Sequence, residues 1–180
     1  MVCCGTVRAS DFDPNREDMV SEGQTFIVGY EEWVGLPLIG LPSLKAKVDT
    51  GARTSALHAR MIEPFDDGER RLVRFLVQPV PRRPQIEIVC VAPLIDRRRV
   101  TSSNGEAELR YVIGTELEIG DQRWPIEITL TNRASMSYRM LIGRQAFRPG
   151  MLVDPAASRH QARRSHKVYR TLIKPAASAG

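Results

Sequence analysis

Apolar and polar residues alternate along most of the chain between residues 25 and 155, which indicates β-strands. The clearest case is the stretch 44–49, where leucine, alanine and valine alternate with lysine and the pattern ends at Asp49. Such a stretch is typical of a strand with one buried face. The stretch 115–130 alternates in two arms, and Pro125 within it predicts an edge or a position without a ladder hydrogen bond.

Turn-forming residues separate the alternating segments. An Asp-Asp-Gly turn occupies residues 66–68, and Gly120 begins a turn between two further arms. The pair Asn104-Gly105 is a strong hairpin signal, with strand-like arms on either side. Only residues 144–148 predict a helix, of one or two turns. Many short strands and a single short helix favour an all-β closed barrel.

The chain is long enough, at 180 residues, to form one domain with a real hydrophobic core. Residues 1–22 are polar and predict a disordered N-terminal tail. Residues 156–180 are rich in alanine, serine, arginine and lysine without an apolar period, which predicts a basic disordered C-terminal tail. The folded domain is therefore expected over residues 23–155.

The composition favours a cytoplasmic protein without a membrane anchor. No apolar run is long enough to span a bilayer, and the N-terminus lacks the apolar core of a signal peptide. The three cysteines are an odd number and two of them lie in the predicted N-terminal tail, so a disulfide framework is not expected. No Cys/His pair has zinc-ligand spacing, so no metal site is expected.

The formal charge of +5 suggests a polyanionic partner, either a nucleic acid or an acidic peptide. Aromatic residues make up 6% of the chain and are not interleaved with the basic ones. A stacking platform for nucleic-acid bases needs such aromatics, so a nucleic-acid-binding barrel is the weaker of the two hypotheses.

The candidate for chemistry is the tetrapeptide that runs from Asp49 through Thr50 and Gly51 to Ala52. Asp49 falls where an amphipathic strand meets a glycine-containing turn, so its carboxylate can project from a rigid element. Gly51 permits the close approach of another backbone, and the Thr50 hydroxyl can brace a neighbouring loop. Taken alone, the same residues are also typical of a plain Asx turn.

The order of elements around this tetrapeptide resembles the retropepsins. A strand with Asp-Thr-Gly-Ala is followed by a glycine-tipped hairpin, a meander, and an apolar strand that ends in Gly-Arg before a short helix. Longer matches are similar to a bacterial retropepsin-like family often labelled ATP-dependent zinc proteases. These matches are Val48-Asp-Thr-Gly-Ala-Arg-Thr-Ser-Ala-Leu-His-Ala59, Thr101-Ser-Ser-Asn-Gly105 and Leu130-Thr-Asn-Arg133.

The resemblance implies a retropepsin-like barrel, one pepsin-like lobe with a short C-terminal helix, that acts as an aspartic endopeptidase. Asp49 would be catalytic, Thr50 would brace the facing loop, and Gly51 and Ala52 would support the catalytic loop. A flap that closes over the substrate would comprise Ser102, Ser103, Asn104, Gly105 and Glu106. Structural support behind the catalytic loop would come from Ile142, Gly143 and Arg144.

Hydrolysis by carboxylates alone needs two of them around one water molecule, and they share a proton because like charges about 3 Å apart cannot both ionise. The chain has one Asp-Thr-Gly. Asp154 precedes a proline and Asp121 lies at a predicted hairpin tip, so neither is a credible second carboxylate. The second is therefore expected from Asp49 of a two-fold related copy, in a homodimer.

Arg53 and Thr54 follow the tetrapeptide where retroviral proteases have acidic residues. Arg53 beside the catalytic centre, and arginines flanking the flap, would attract acidic side chains. Members of the similar family are associated with ligases that add glutamate to a ribosomal protein. The resemblance therefore implies a glutamate-rich tail, such as that of a glutamylated ribosomal protein, as substrate. No phosphate-binding Gly-rich loop is present, so no cofactor is expected.

A non-catalytic peptide-binding module on the same fold is the main alternative. Such a module would bind acidic peptides without hydrolysing them, and it would not need a second carboxylate.

Overall fold

The computed structural model describes residues 2–3, 25–68, 70–101 and 105–169. No helix in these ranges is long and apolar enough to cross a membrane. The described residues form two single turns of 3-10 helix, Pro37–Ile39 and Arg144–Ala146. The strands in chain order are β1 (Val2–Cys3), β2 (Phe26–Gly29), β3 (Glu31–Leu36), β4 (Leu41–Asp49), β5 (Ser55–His58), β6 (Arg60–Asp67), β7 (Arg70–Val77), β8 (Ile88–Thr101), β9 (Ala107–Ile119), β10 (Gln122–Thr131), β11 (Met140–Gly143) and β12 (Met151–Asp154).

Six of these strands form a closed barrel. They are hydrogen-bonded in the order β3, β4, β11, β5, β10 and β9, and the pairing of β9 with β3 closes the ring. Strands β8, β7 and β6 continue the sheet outward from β9, while β2 and β12 form a separate two-stranded parallel sheet. The all-β closed barrel predicted from the sequence is confirmed, and the predicted short helix is the single turn that follows β11.

Strand β4 shows how the alternating pattern builds the core. Leu44 and Ala46 are fully buried and Val48 is nearly so, whereas Lys47 is exposed and Lys45 is half-buried. Each buried aliphatic side chain of valine or leucine size contributes about 1.5–3 kcal/mol relative to an exposed one. The strand therefore keeps its apolar face inside the barrel up to the residue before Asp49.

Glycines with positive φ make the predicted turns. Gly68, Gly105 and Gly120 have φ values of 65°, 82° and 60°, a backbone region that disfavours residues with a Cβ. The hairpin of β8 and β9 around Gly105 is confirmed, while its tip, residues 102–104, lies outside the described residues. Pro125 lies in the half of β10 that pairs with β9 alone, as the absence of its N–H predicts.

The two tryptophans and the third cysteine belong to the core. Trp33 is 5% exposed, Trp124 is 4% exposed and Cys90 is 1% exposed. The indole Nε1 of Trp124 donates a hydrogen bond to the carbonyl of Ala146, at 2.9 Å. This bond ties the 3-10 turn after β11 to the barrel.

Residues 156–169 lie against the barrel, so the prediction that they form a disordered tail was wrong. The buried carboxylate of Glu32 accepts a hydrogen bond from the backbone N–H of His160 at 2.8 Å. Tyr169 is fully buried, and its hydroxyl donates to the carbonyl of Ser43 at 2.6 Å. Polar contacts and one aromatic side chain hold this segment, so it has no apolar period to reveal it. Apart from β1, the rest of both predicted tails lies outside the described residues.

Candidate active site

Asp49 is the last residue of β4, a strand that has a hydrogen-bonded neighbour on each edge. Gly143 of β11 is its partner in parallel register, and β3 pairs with β4 on the other edge. The Asp49 side chain is half-buried. A rigid central strand therefore carries the candidate carboxylate to the point where the barrel opens.

One oxygen of the Asp49 carboxylate is engaged and the other is available. Oδ1 accepts hydrogen bonds from the backbone N–H of Gly51 at 3.1 Å and of Ala52 at 3.2 Å. Oδ2 has no hydrogen-bond partner within the part of the chain that the structure describes. The turn is the one that a structural aspartate would form. It also fixes the orientation of the carboxylate and leaves one oxygen for water or substrate.

The loop after Asp49 is tied to the turn after β11. The backbone N–H of Arg144 donates to the carbonyl of Ala52 at 2.8 Å, and that of Gln145 donates to the carbonyl of Arg53 at 3.0 Å. The Arg144 guanidinium donates to the carbonyl of Thr50 at 3.0 Å. Residues that are ninety positions apart in the chain thus form one rigid loop pair.

Gly143 sits where a side chain has no room. A Cβ at this position would lie 2.4 Å from the carbonyl carbon of Thr54, closer than real Cβ contacts. Its N–H donates to the hydroxyl of Ser55 at 3.1 Å, and the Thr129 hydroxyl donates to the carbonyl of Ser55 at 2.9 Å. Ser55 and Thr129 were missed by the sequence analysis, although a hydroxyl residue at an inward strand position beside the motif is a usable signal.

Asp49 lies in a cleft of about 1490 Å³ between its own loop and the β8–β9 hairpin. Of the predicted site residues, the cleft is lined by Asp49, Gly51, Ala52, Arg53 and Glu106. Ile142 and Gly143 are buried behind the loop, and Arg144 and Thr50 hold it, without lining the cleft. Gly105 is exposed outside the lining, while Ser102, Ser103 and Asn104 lie outside the described residues.

The cleft is rich in arginine, and only part of that charge is neutralised. Five arginines and four carboxylates line it. Arg98 pairs with Asp96 at 2.7 Å and with Glu127 at 2.5 Å, and Arg110 pairs with Glu108 at 2.7 Å. The remaining three have no carboxylate within 4 Å among residues 25–68, 70–101 and 105–169. They are Arg53, Arg99 and Arg133.

A buried histidine supports the cleft from behind. His58 is fully buried, and its Nδ1 accepts a hydrogen bond from the backbone N–H of Arg133 at 2.9 Å. Burial, followed by the charges of Arg139, Arg60 and Arg133, lowers the pKa of His58 to about 4. The ring is therefore neutral at physiological pH, as its role as an acceptor requires.

No second carboxylate is hydrogen-bonded to Asp49 in the described part of the chain. Asp154 is bonded to His160 at 2.8 Å, and Asp121 is exposed at the β9–β10 turn. Neither of them lines the cleft. The described residues also contain no group of three His, Cys, Asp or Glu side chains placed to hold a metal ion.

A family model described as RimB-like, "Retropepsin-like aspartic endopeptidase RimB", matches residues 27–164. The match begins in β2 and extends into the segment that follows β12, so it includes the whole barrel and the cleft.

Curated relatives are named "Probable alpha-L-glutamate ligase". The protein from Shewanella pealeana is 47% identical over 133 residues, and the one from Parasynechococcus marenigrum is 49% identical over 135 residues. These matches cover 74% and 75% of this chain but 29% of each relative. The chain thus spans less than a third of the length of these relatives.

A solved structure of a Legionella pneumophila protein of unknown function (DUF785) is also similar. It superposes with a TM-score of 0.64 at 28% sequence identity. The match covers 75% of this chain and 97% of that one. The barrel therefore accounts for nearly all of a separate protein as well as for a minor part of the longer relatives.

Proposed function

Because the chain belongs to the RimB-like family of retropepsin-like aspartic endopeptidases, we propose that it is one subunit of an aspartic peptidase. The observation that carries the proposal is the state of Asp49. Two backbone N–H groups fix one of its carboxylate oxygens, and the other is available within a cleft large enough for a peptide. A catalytic carboxylate needs this combination of fixed orientation and a free oxygen.

The chemistry requires a second carboxylate, and Asp49 of a second copy is the proposed source. The ionised carboxylate takes a proton from a water molecule, whose oxygen forms a bond to the peptide carbonyl carbon. The protonated carboxyl group of the other copy donates its proton to the carbonyl oxygen. One hydroxyl group of the tetrahedral intermediate then returns its proton to the carboxylate that had donated it, and the C=O bond reforms as the C–N bond breaks. The leaving nitrogen takes its proton from the carboxyl group that had accepted the proton of water.

The proposed substrate is an acidic peptide. Three cleft arginines lack a carboxylate partner among the described residues, so the cleft presents unneutralised positive charge beside Asp49. A charged cleft of this kind concentrates and orients anionic ligands. The similarity to proteins named as glutamate ligases supports the same class. A glutamate-rich tail on a protein, such as a glutamylated ribosomal protein, is the substrate we propose.

A non-catalytic peptide-binding module is the second candidate. It is favoured because no second carboxylate is hydrogen-bonded to Asp49 among the described residues. It is also compatible with the small share, 29%, that this segment occupies in the ligase-named relatives. In this case the arginines would bind an acidic tail, and Asp49 would only stabilise the turn that it forms with Gly51 and Ala52.

The two candidates are separated by a cleavage assay in water enriched with oxygen-18. We expect a glutamate-rich peptide to give new fragments, with one heavy oxygen in the new C-terminal carboxyl group. The matched glutamine peptide should be cleaved about 10–100-fold less efficiently, since it cannot form charge-assisted hydrogen bonds with the arginines. Mass spectrometry measures both. Tight binding of the glutamate peptide without fragments would overturn the peptidase and support the binding module.

A further inference from the structure

Among the three cleft arginines that lack a carboxylate partner in the described part of the chain, Arg133 differs from the other two in its burial. Its side chain is half-buried at the cleft wall, whereas Arg53 and Arg99 are exposed. Burial lowers the pKa of Arg133, the charge of Arg110 lowers it further, and only Asp49 acts in the opposite direction. The guanidinium is thus partly removed from water, and the nearby carboxylate that favours its charge is the candidate catalytic one.

The guanidinium of Arg133 has little hydrogen bonding from the protein. Within the described ranges its Nε makes one long contact, 3.5 Å, to the carbonyl of Tyr138, and its two terminal nitrogens make none. Arg98 and Arg110 in the same cleft each have a carboxylate at 2.7 Å or closer. Partly buried guanidinium groups are normally paired with an anion. Arg133 therefore has the hydrogen-bond donors of a guanidinium–carboxylate pair but no carboxylate acceptor among the described residues.

The backbone of Arg133 is held in place on several sides. Its N–H donates to Nδ1 of buried His58, and its carbonyl accepts from the guanidinium of Arg139 at 3.2 Å. The same carbonyl also accepts from the backbone N–H of Met136 at 3.0 Å. A fixed backbone with free donor atoms at the end of the side chain is a preorganised anion site.

We infer that Arg133 binds a carboxylate of the substrate next to the bond that is cleaved, and so sets the preference for acidic peptides. This inference rests on the proposed function and names the residue responsible for its specificity. A guanidinium can bind a carboxylate through two parallel hydrogen bonds, which a neutral amide cannot match. The ligand carboxylate would take the place of the missing partner.

The test compares Arg133→Gln with the wild-type protein on a glutamate-rich peptide and its glutamine counterpart. We expect kcat/KM for the glutamate peptide to fall about 10–100-fold, the size of a lost charge-assisted hydrogen bond. Cleavage of the glutamine peptide should fall by a much smaller factor, so most of the preference is lost. Arg133→Lys should restore part of it. Equal losses on both peptides would overturn the inference and indicate a structural role.

Arg71→Gln is the matched control. Arg71 carries the same charge on the β6–β7 hairpin, where it pairs with Asp66 outside the cleft. This variant should keep the preference for glutamate, and both variants should have the thermal midpoint of the wild type. A glutamate peptide with an amidated C-terminus separates side-chain from terminal carboxylates. If the preference for glutamate is retained on the amidated peptide, a side-chain carboxylate is the group that binds Arg133. If the preference is lost, the group is the C-terminal carboxylate.

Binding in an Asp49→Asn background makes the inference independent of turnover. A labelled glutamate peptide should bind this variant, and addition of Arg133→Gln should weaken the affinity about 10–100-fold. That result without any cleavage by the wild type would overturn the proposed peptidase and leave the role of Arg133 standing. Unchanged affinity in the double variant would overturn the role of Arg133 alone.

Discussion

The variant Asp49→Asn is expected to lose cleavage of a glutamate-rich peptide by about 10²–10⁴-fold, the usual contribution of a positioned acid–base group. Asparagine has the same shape, and its side-chain oxygen can still accept from the N–H groups of Gly51 and Ala52. It cannot take a proton from water at neutral pH. The loop should therefore be preserved while the chemistry is lost.

Asp121→Asn is the control for this substitution. It makes the same chemical change at an exposed turn outside the cleft and should leave turnover unaltered. Initial rates, peptide affinity and thermal midpoints measured on both variants separate catalysis from folding. An Asp49→Asn protein that binds and cleaves the peptide at the wild-type rate would rule out the carboxylate mechanism.

The second large effect is on stability. Replacement of Tyr169 by alanine should lower the free energy of unfolding of the protein by about 3–5 kcal/mol. The ring is fully buried in the core. Its hydroxyl donates to the carbonyl of Ser43 at 2.6 Å and accepts from the N–H of Ser43 at 3.2 Å. Ser43 lies in the irregular part of the β3–β4 pairing, so Tyr169 satisfies backbone groups at a break in the ladder.

Tyr169→Phe divides this effect into its parts. Phenylalanine fills the same space but leaves the backbone groups of Ser43 without the hydroxyl, at an expected cost of about 1–3 kcal/mol. Urea unfolding of the three proteins measures the differences. If Tyr169→Ala unfolds at the same urea concentration as the wild type, residues 156–169 do not pack against the barrel in solution.

Local patterns in the sequence were sufficient for strand β4 and for the glycine turns. The alternation that ends at Asp49 follows from one buried face of β4, and the hairpins follow from glycines that adopt positive φ. These signals are contained within a few neighbouring residues. The placement of Gly143 beside Asp49 is not local, since it depends on parallel pairing between strands about ninety residues apart. The family resemblance, rather than the pattern, gave Gly143 a supporting position behind the catalytic loop.

The packing of residues 156–169 and the proposed role of Arg133 could not be predicted from the sequence. Polar contacts, such as those with Glu32 and Ser43, and a single buried tyrosine hold the segment 156–169, so its composition resembles that of a disordered tail. No role was assigned to Arg133 from the sequence, although it lies in the stretch 130–133 that resembles the family. Its proposed role depends on the absence of a carboxylate partner among the described residues, which a sequence does not show. Only the three-dimensional contacts of a guanidinium reveal whether it already has a partner.

A mixed dimer tests whether two copies of Asp49 form one catalytic centre. Wild-type and Asp49→Asn chains with different affinity tags are co-expressed, and the dimer that carries both tags is purified and assayed on the glutamate-rich peptide. We expect the doubly tagged wild-type dimer to be active and the mixed dimer to be no more active than the Asp49→Asn dimer. Half of the wild-type activity in the mixed dimer, or full activity in a monomer, would show that the two carboxylates do not share one catalytic centre.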